Sequence, residues 1–306
     1  MFRPLYRDLN TALRERFGCR VQKINLDAGL TCPNRDGRAG LGGCIYCNRL
    51  GSGTGASRHQ SITTQLESGK AFLQKRYKAR KFLAYFQSFS NTYAPVEKLR
   101  NLYEEALAVP DIVGLTIGTR PDCVEEPVLD LLAELGEKTY LLVEYGLQSI
   151  HDRTLNLINR GHSVDTFLDA VTRTRARGLE ICVHVILGLP GEDKAAMLET
   201  ARALGEMDIQ AVKIHLLYVI RNTPLHRLHE EGAYQCLNRE VYVDIVCDFL
   251  SLLPPHVVIH RLTGDPHQAE LVAPLWALEK QTNLEVIRET LRKRQMWQGK
   301  AYASRR

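Results

Sequence analysis

The chain has 306 residues, of which 44% are apolar and 25% are charged, and its formal net charge is +5. This length allows one large barrel domain with an appendage, whereas the mild charge is not that of a dedicated nucleic-acid-binding module. Neither a membrane helix nor the apolar core of a signal peptide is present in the sequence, so we expect a cytoplasmic protein with no membrane partner.

Six apolar, β-branched runs predict strands at residues 21–28, 81–88, 111–118, 140–148, 180–188 and 211–219. Helical patterns lie between them at residues 61–79, 95–108, 124–136, 150–177 and 192–206. This alternation favours a parallel α/β sheet. After residue 220 the pattern loosens, with helices predicted at 238–253 and 276–296 and one strand at 257–262. We therefore expect an N-terminal segment (1–20), a core (21–220) and an α-rich C-terminal extension (221–306).

Polar residues in the predicted strands share one parity within each strand, so they point to one side of the sheet. They are Lys23, Asn25, Asp27, Tyr85, Gln87, Glu144, Gln148, His184, Lys213 and His215. A face packed on helices cannot hold these groups without a cost in free energy. A barrel lumen that is open to a ligand can hold them, which favours a barrel with its site at the carboxyl ends of the strands. The alternative is a set of mutually paired polar groups in the core.

Five of these residues have no assigned role: Tyr85, Glu144, His184, Lys213 and His215. Substrate binding or proton transfer is one interpretation, and a buried hydrogen-bond network that supports the barrel is the other. No catalytic base is assigned.

Three cysteines follow the first predicted strand, within CPNRDG at residues 32–37 and GGCIYCN at residues 42–48. A closed structural zinc site needs four protein ligands, whereas a cluster with one open iron needs three. Cys32, Cys44 and Cys47 therefore favour an iron–sulfur cluster. A zinc-stabilised RNA-binding protein, with Cys19 or His59 as the fourth ligand, is the alternative. Among the other cysteines, Cys182 and Cys247 lie in apolar runs, where we expect buried thiols that act as small hydrophobic groups.

Two further segments have unusual compositions. The glycine-rich run at residues 51–55 lacks the Gly-Lys-Ser/Thr of a phosphate-binding loop, so it is interpreted as a flexible lid or a plain connection. Basic residues concentrate near the C-terminus, where they form either a solvated helix face or an RNA contact. They are Arg288, Arg292, Lys293, Arg294, Lys300, Arg305 and Arg306.

A cysteine triad after the first strand of an α/β barrel resembles the radical S-adenosylmethionine (SAM) superfamily. Eleven residues separate the first two cysteines, where that superfamily commonly has three, and this spacing is similar to the YhcC/YtqA family, a relative of the elongator catalytic-subunit branch. Further matching segments are YFQ at 85–87, NTY at 91–93, GTRPD at 118–122, GLQS at 146–149, NRGH at 159–162, GLPGE at 188–192 and HRLTGD at 260–265. The resemblance runs from about residue 18 to residue 300.

The resemblance implies a partial (β/α)6 TIM-type barrel with an α-rich C-terminal extension. It also implies that Cys32, Cys44 and Cys47 hold three irons of a [4Fe–4S] cluster. The fourth iron would be open to SAM, and one electron would cleave SAM to methionine and a 5′-deoxyadenosyl radical.

Five residues would bind SAM if the family's roles apply at the matching positions. Gln87 begins the loop that would contact the methionyl amino group, although the usual two glycines and glutamate are missing there. Gln148 would bond the ribose hydroxyls, and Arg160 would pair with the methionyl carboxylate. Ile186 and the turn that begins at Gly188 would flank the adenine.

Substrate and partners are expected from the resemblance alone. The related elongator group acts on the C5 side chain of the wobble uridine in tRNA, so tRNA modification is the first hypothesis. Radical chemistry on a small molecule or a tetrapyrrole is the alternative. A reductant such as flavodoxin or ferredoxin and a partner methyltransferase are the expected protein partners.

Overall fold

The computed structural model describes residues 3–51 and 59–302 of the chain. The strands are β1 (Val21–Leu26), β2 (Lys81–Phe86), β3 (Ile112–Thr119), β4 (Tyr140–Gln148), β5 (Glu180–Leu187), β6 (Ala211–Leu216), β7 (Val219–Ile220), β8 (Val258–Arg261) and β9 (Leu271–Ala273). Seven of them form a parallel sheet in the order β1-β2-β3-β4-β5-β6-β8, and β7 pairs with β9 in an antiparallel ribbon. The predicted partial barrel is confirmed, with a seventh strand added to the six expected.

The helices are α1 (Leu9–Phe17), α2 (Ile62–Tyr77), α3 (Val96–Leu107), α4 (Glu126–Lys138), α5 (Asp152–Leu157), α6 (Val164–Ala176), α7 (Lys194–Gly205), α8 (Pro224–Glu230), α9 (Arg239–Leu252) and α10 (Lys280–Lys293). The single helix predicted over residues 150–177 is divided into α5 and α6. Asn159 and Gly161 between them have positive φ angles of 51° and 72°, which a helix cannot contain. The side chain of Ser163 then caps α6 by accepting a hydrogen bond from the Thr166 N–H.

Alternation along the strands gives the sheet an apolar outer face and a polar inner face. Leu26, Phe86, Ile117 and Val185 are fully buried in the main hydrophobic core, which the helices of the outer layer complete. Burial of such side chains stabilises the fold by about 25 cal/mol per Å² of apolar surface. Because the outer face supplies this core, the inner face is left for polar groups.

The sheet is curled, so that its two edge strands approach each other across the inner face. Nζ of Lys23 in β1 lies 3.4 Å from Nδ1 of His260 in β8, and α1 packs against both strands. The N-terminal segment covers the outer edge of β8, where the Ile259 N–H donates a 2.8 Å hydrogen bond to the Arg7 carbonyl. Side chains and α1 therefore close the lumen on the side where no strand joins β1 to β8.

The seventh strand, β8, comes from the predicted C-terminal extension and pairs with β6. The main sheet thus draws on residues from both sides of position 220, and the division of the chain at that position stays a prediction. Of the residues described, no helix has the length and apolar character required to cross a membrane.

Candidate active site

The three cysteines lie in a folded loop that runs from the end of β1 to residue 51. Asp27 was expected on the lumen side of the first strand, but β1 ends at Leu26 and the Asp27 carboxylate accepts a 2.9 Å hydrogen bond from the Gly29 N–H. Within the loop, the Gly43 N–H donates to the Asn34 carbonyl at 2.8 Å. The long segment between the first two cysteines is thereby folded back on itself.

The cysteine loop is fastened to the turn between α5 and α6. The Asn34 side-chain amide donates to the Asn159 carbonyl at 2.5 Å, and the Asn159 side chain donates to the Gly43 carbonyl at 2.8 Å. Gly161 leaves room for this contact, because a Cβ atom there would lie 2.6 Å from Oδ1 of Asn34. Two asparagines and a glycine therefore fix the loop against a distant part of the chain.

Two guanidinium groups lie beside the thiols. An Nη atom of Arg35 is 3.1 Å from Sγ of Cys47, and an Nη atom of Arg160 is 3.6 Å from Sγ of Cys44. Burial raises the pKa of the Cys47 thiol, and neighbouring Cys44 raises it further, whereas Arg35 lowers it. Arg35 thus opposes the effect of burial and favours the thiolate of Cys47, the form in which cysteine binds metal.

A cavity of about 270 Å³ lies at the carboxyl ends of the parallel strands. Its lining includes Cys32, Cys44, Cys47, Gln87, Gln148, Arg160 and Ile186. Gly188 is not part of this lining; its carbonyl accepts a 2.9 Å hydrogen bond from the Tyr234 hydroxyl, and its α-carbon faces Leu237. The structure thus brings the three cysteines together with four of the five residues expected to bind SAM.

A β-bulge directs Gln148 towards the cavity. The register between β4 and β5 shifts between Gly146 and Gln148, and Gln148 has a φ angle of 79°. A positive φ is unfavourable for a residue with a side chain, and bulges that redirect a side chain are frequent beside active sites. Arg160 lies next to this bulge and donates to the Gly146 carbonyl at 2.6 Å.

The loop after β2 is hydrogen-bonded to the cysteine loop. The Phe89 N–H donates to the Gly51 carbonyl and the Ser90 N–H donates to the Thr31 carbonyl, both at 3.2 Å. Gln87 is therefore held at the cavity by contacts with the same loop that contains the cysteines. Residues 52–58, which include most of the glycine-rich run interpreted as a lid or connection, lie outside the described residues.

The lumen below this cavity contains a charged cluster centred on Glu144, which is completely buried. Oε1 of Glu144 lies 2.6 Å from Nζ of Lys23, and Oε2 lies 2.6 Å from Nζ of Lys213. His184 donates to the same Oε2 at 2.7 Å, and Lys213 also donates to the Tyr85 hydroxyl at 2.9 Å. The buried network, which was one of two interpretations of these residues, is present in the structure.

The charge states of this cluster follow from its burial and composition. Burial alone would raise the pKa of Glu144, but Lys213 and Lys23 outweigh it and hold that pKa well below the usual value. Burial, with a further contribution from Lys213, lowers the pKa of His184 to about 4. Burial also lowers the pKa of Lys213, although Glu144 opposes this. At neutral pH Glu144 is therefore a carboxylate, Lys213 is an ammonium group and His184 is a neutral imidazole.

Comparison with known proteins decides the family. The model of the Radical SAM superfamily matches residues 32–204, and the model of the Radical SAM C-terminal domain matches residues 209–293. The chain belongs to the radical SAM superfamily. Radical SAM proteins use a [4Fe–4S] cluster and SAM, so the two cofactors expected from the sequence are confirmed.

Two relatives and one solved structure of the same fold illustrate the similarity. YtqA of Bacillus subtilis, an uncharacterized protein, is 44% identical over 298 residues, which are 97% of this chain and 92% of YtqA. A tRNA uridine(34) acetyltransferase of Methanocaldococcus infernus is 30% identical over 156 residues, which are 50% of this chain and 29% of the relative. The solved structure of M. infernus Elp3 with an N-terminal deletion has a TM-score of 0.70 at 19% identity, covering 91% of this chain and 64% of that one.

The residues around the radical SAM cysteines fit the two cofactors. Three thiols are available and two arginines contact them, which suits a cluster that is anionic when bound by thiolates. Nε of Arg160 is buried and has no hydrogen-bond partner among the described residues, so it can donate to a bound anionic group. The set of donors is therefore appropriate for a cluster and for the carboxylate of SAM.

The zinc alternative does not agree with the position of Cys19, one of its two proposed fourth ligands. Cys19 packs with Leu13 and Val21 below the amino end of β1, whereas Cys32 follows the carboxyl end. Six residues of strand separate the two ends by about 20 Å. His59 is exposed to solvent. The family match, together with this distance, excludes Cys19 as a ligand of the same metal centre.

Several residues of the site were missed by the sequence analysis. Asn34 and Arg35, which contact cysteine sulfur atoms, lie in the matched CPNRDG segment, but a loop offers no periodicity from which contacts can be predicted. His260 and Arg261 are consecutive, yet His260 lies 3.6 Å from Oε1 of Glu144 and Arg261 lines the cavity. A register shift between β6 and β8 explains this, since strict alternation would place one of them on the outer face.

Not all of the basic residues near the C-terminus are free to contact RNA. Arg294 forms ion pairs with Asp244 at 2.6 Å and with Asp248. Nζ of Lys300 donates to the Gln295 carbonyl at 2.8 Å. Arg305 and Arg306 lie outside the described residues. An RNA contact through this segment stays a prediction.

Proposed function

We propose that this radical SAM enzyme modifies tRNA at the C5 side chain of the wobble uridine. The observation that best supports radical chemistry on a substrate held within the barrel is the cavity, which is continuous from the cysteine loop to the polar lumen. Such a cavity allows a substrate group to lie beside the cofactors while its polar atoms contact the barrel.

Cys32, Cys44 and Cys47 would hold the cluster, and Gln87, Gln148, Arg160 and Ile186 would bind SAM, with Gly188 acting only through the packing of its turn. Together the two cofactors supply reductive cleavage of SAM and a 5′-deoxyadenosyl radical that abstracts hydrogen from the substrate. The chain's own contribution is to bind and orient: Arg35 and Arg160 balance the thiolate charge, and the bulge at Gln148 presents its amide to the cavity.

Two observations support tRNA as the substrate. One relative is named a tRNA uridine(34) acetyltransferase, and its similarity covers half of this chain. Exposed Arg49 and Arg221 directly follow the cavity-lining residues Asn48 and Ile220, so they provide positive charge near the mouth. A folded RNA is far larger than this cavity of about 270 Å³, which would also receive the two cofactors. The RNA would therefore bind at the mouth, with one base turned out of its stack into the cavity.

Radical chemistry on a small molecule is the second candidate, and the enclosed volume of the cavity suits such a substrate equally well. Salt dependence separates the two. Binding of RNA through phosphate contacts weakens steeply with ionic strength, whereas binding of a neutral small molecule does not.

The cofactor assignment is tested by anaerobic reconstitution followed by measurement of iron, sulfide and visible absorption. Cys32→Ala should lose the cluster and the cleavage of SAM. Cys19→Ala is the matched control, because it removes a thiol at the other end of β1 and should retain both. Stoichiometric zinc without iron in the wild-type protein would contradict the assignment.

The substrate is tested by mass spectrometry of tRNA nucleosides from a deletion strain and from the same strain carrying wild-type or Cys32→Ala protein. We expect the wobble uridine to lack a modification that only the wild-type protein restores. An unchanged nucleoside profile would contradict the tRNA proposal. Flavodoxin or ferredoxin is the proposed electron donor. The proposed partner methyltransferase would act on the product of this enzyme, so the methylated nucleoside should also be missing from the deletion strain.

A further inference from the structure

Arg261 lines the cavity, and its guanidinium has no hydrogen-bond or ion-pair partner among the residues that the structure describes. Its side chain is half-buried at the end of β8. A guanidinium has five N–H donors in a planar arrangement that suits carboxylates and phosphates, so an unpaired one in a cavity is an available binding group.

Among the described residues, no acid that lines the lumen forms an ion pair with Arg261. Lys23, Lys213 and Arg261 face one carboxylate, Glu144, and both oxygens of that carboxylate are already within 2.6 Å of the two lysines. Two further acids line the cavity without serving Arg261: Asp265 pairs with Lys280 at 2.6 Å, and Glu270 accepts from the side chain of Asn48 at 3.1 Å. A partly buried guanidinium without an ion-pair partner is unfavourable, and a bound anion would remove this cost.

The fold holds Arg261 in this position against electrostatic repulsion. Arg261 is the direct neighbour of Lys213 in the register of β8 and β6, and like charges at such positions destabilise a sheet. The register shift that brings His260 to Glu144 also brings Arg261 into the lumen. His215, which follows Lys213 on the same face of β6, also lines the cavity.

We propose that Arg261, with Lys213 and His215 beside it, binds an oxyanion of the substrate, either a carboxylate or a phosphate. This inference rests on the proposed function, because it describes the substrate end of the same cavity. The proposed oxyanion is distinct from the anionic groups of the cofactors, since the guanidinium groups that contact the thiols are those of Arg35 and Arg160. The substrate would therefore be anionic at the end that enters the barrel.

The test uses the cluster-loaded protein with SAM and measures thermal unfolding while acetate or inorganic phosphate replaces chloride at constant ionic strength. A ligand that binds only the folded state raises the melting temperature according to its dissociation constant. Both anions should stabilise the wild-type protein, and Arg261→Gln should weaken the apparent affinity by about 10- to 100-fold, the loss expected for charge-assisted hydrogen bonds. Arg261→Lys should give an intermediate affinity, because it keeps the charge but not the planar fork.

The matched control is Arg227→Gln, which removes an exposed guanidinium on α8 that does not line the cavity, and it should respond to anions like the wild type. Without added anion, Arg261→Gln should melt at the same temperature as the wild type or higher, since it removes repulsion with Lys213. A melting temperature lowered by several degrees would indicate a structural role and overturn the inference. An anion response equal to that of the wild type would also overturn it.

Binding of a uridine-containing RNA stem-loop, followed by fluorescence anisotropy, identifies the source of the oxyanion. If Arg261→Gln weakens RNA binding and acetate competes with the RNA, the oxyanion belongs to the nucleic acid. If RNA binding is unchanged while the acetate and phosphate responses are lost, the oxyanion belongs to a small molecule. If the wild type binds no RNA but retains its anion response, the tRNA proposal fails and the oxyanion site stands.

Discussion

Replacement of Glu144 by glutamine is the most informative single perturbation of the barrel. The side chain is completely buried, and its two oxygens lie 2.6 Å from the ammonium groups of Lys23 and Lys213. Glutamine has nearly the same shape, so the substitution removes the charge and little volume. Its amide nitrogen would meet an ammonium group or His184, and both lysines would be left in the lumen without a carboxylate.

The expected loss of stability is about 3–5 kcal/mol, the range found when one partner is removed from a buried ion pair. The upper part of this range applies here, because Glu144 also accepts a 2.7 Å hydrogen bond from His184. A loss of this size should lower the melting temperature by about 5–8 °C in a chain of this length. Urea unfolding at pH 7, analysed by linear extrapolation, measures the free energy directly.

The dependence on pH gives a second, independent check. Burial lowers the pKa of Lys213 to about 8, and the loss of Glu144 should lower that pKa further. Between the folded and unfolded pKa values the unfolded state binds more protons, so the stability of the variant rises with pH. The wild type gains stability in the same way above about pH 8, so the difference between wild type and Glu144→Gln should shrink as the pH rises to about 8 and stay constant above it. A stability difference between the two proteins that grows with pH would contradict this reasoning.

Glu134→Gln is the matched control. Glu134 also pairs with two cations, Arg100 at 2.7 Å and Lys138 at 2.8 Å, but it lies on the surface. Surface ion pairs contribute little to stability, so this variant should unfold close to the wild type. The reasoning is refuted if Glu144→Gln unfolds within about 1 kcal/mol of the wild type, or if the two variants lose the same stability.

Two further predictions concern the attachment of the cysteine loop. Gly161→Ala should destabilise the protein by more than the ~1–2 kcal/mol cost of a left-handed alanine, because its Cβ would lie 2.6 Å from Oδ1 of Asn34. Gly178→Ala is the control, since Gly178 has the same φ of 72° and no atom within 4 Å of the added Cβ. In urea unfolding the control should show the backbone cost alone. The cluster of Asn34→Asp should release iron to a chelator faster than that of Asn34→Ala, since a carboxylate would then face the Asn159 carbonyl and Cys44. Equal rates of iron release would contradict a role for the Asn34 amide as a hydrogen-bond donor.

The sequence was sufficient for those parts of the fold and site that depend on periodicity. Alternation in the strands predicted the polar lumen, and Glu144, His184 and Lys213 indeed contact one another there. The carboxyl-end position of the cysteine loop followed from its place after the first strand. Periodicity describes regular elements, and these features belong to regular elements or directly follow them.

The features that the sequence did not reveal are interruptions of regular structure. Two bulges, at Gln148 and beside Arg261, shift side chains by one position relative to their neighbours, and no local pattern predicts where a ladder will slip. The contact between Asn34 and Asn159 joins residues 125 positions apart and depends on the curvature of the whole sheet. Such contacts become visible only when the strands have an order and a register.

The position of β8 in the sheet has a consequence for synthesis of the chain. During translation β6 is made before β8, so its outer edge has no strand to pair with until about residue 260 has left the ribosome. Glu144 cannot acquire its contact with His260 before that point, and the N-terminal segment cannot pair with Ile259. The N-terminal segment and a strand made late in translation thus complete the barrel together, and the charged interior is enclosed only after β8 has paired with β6.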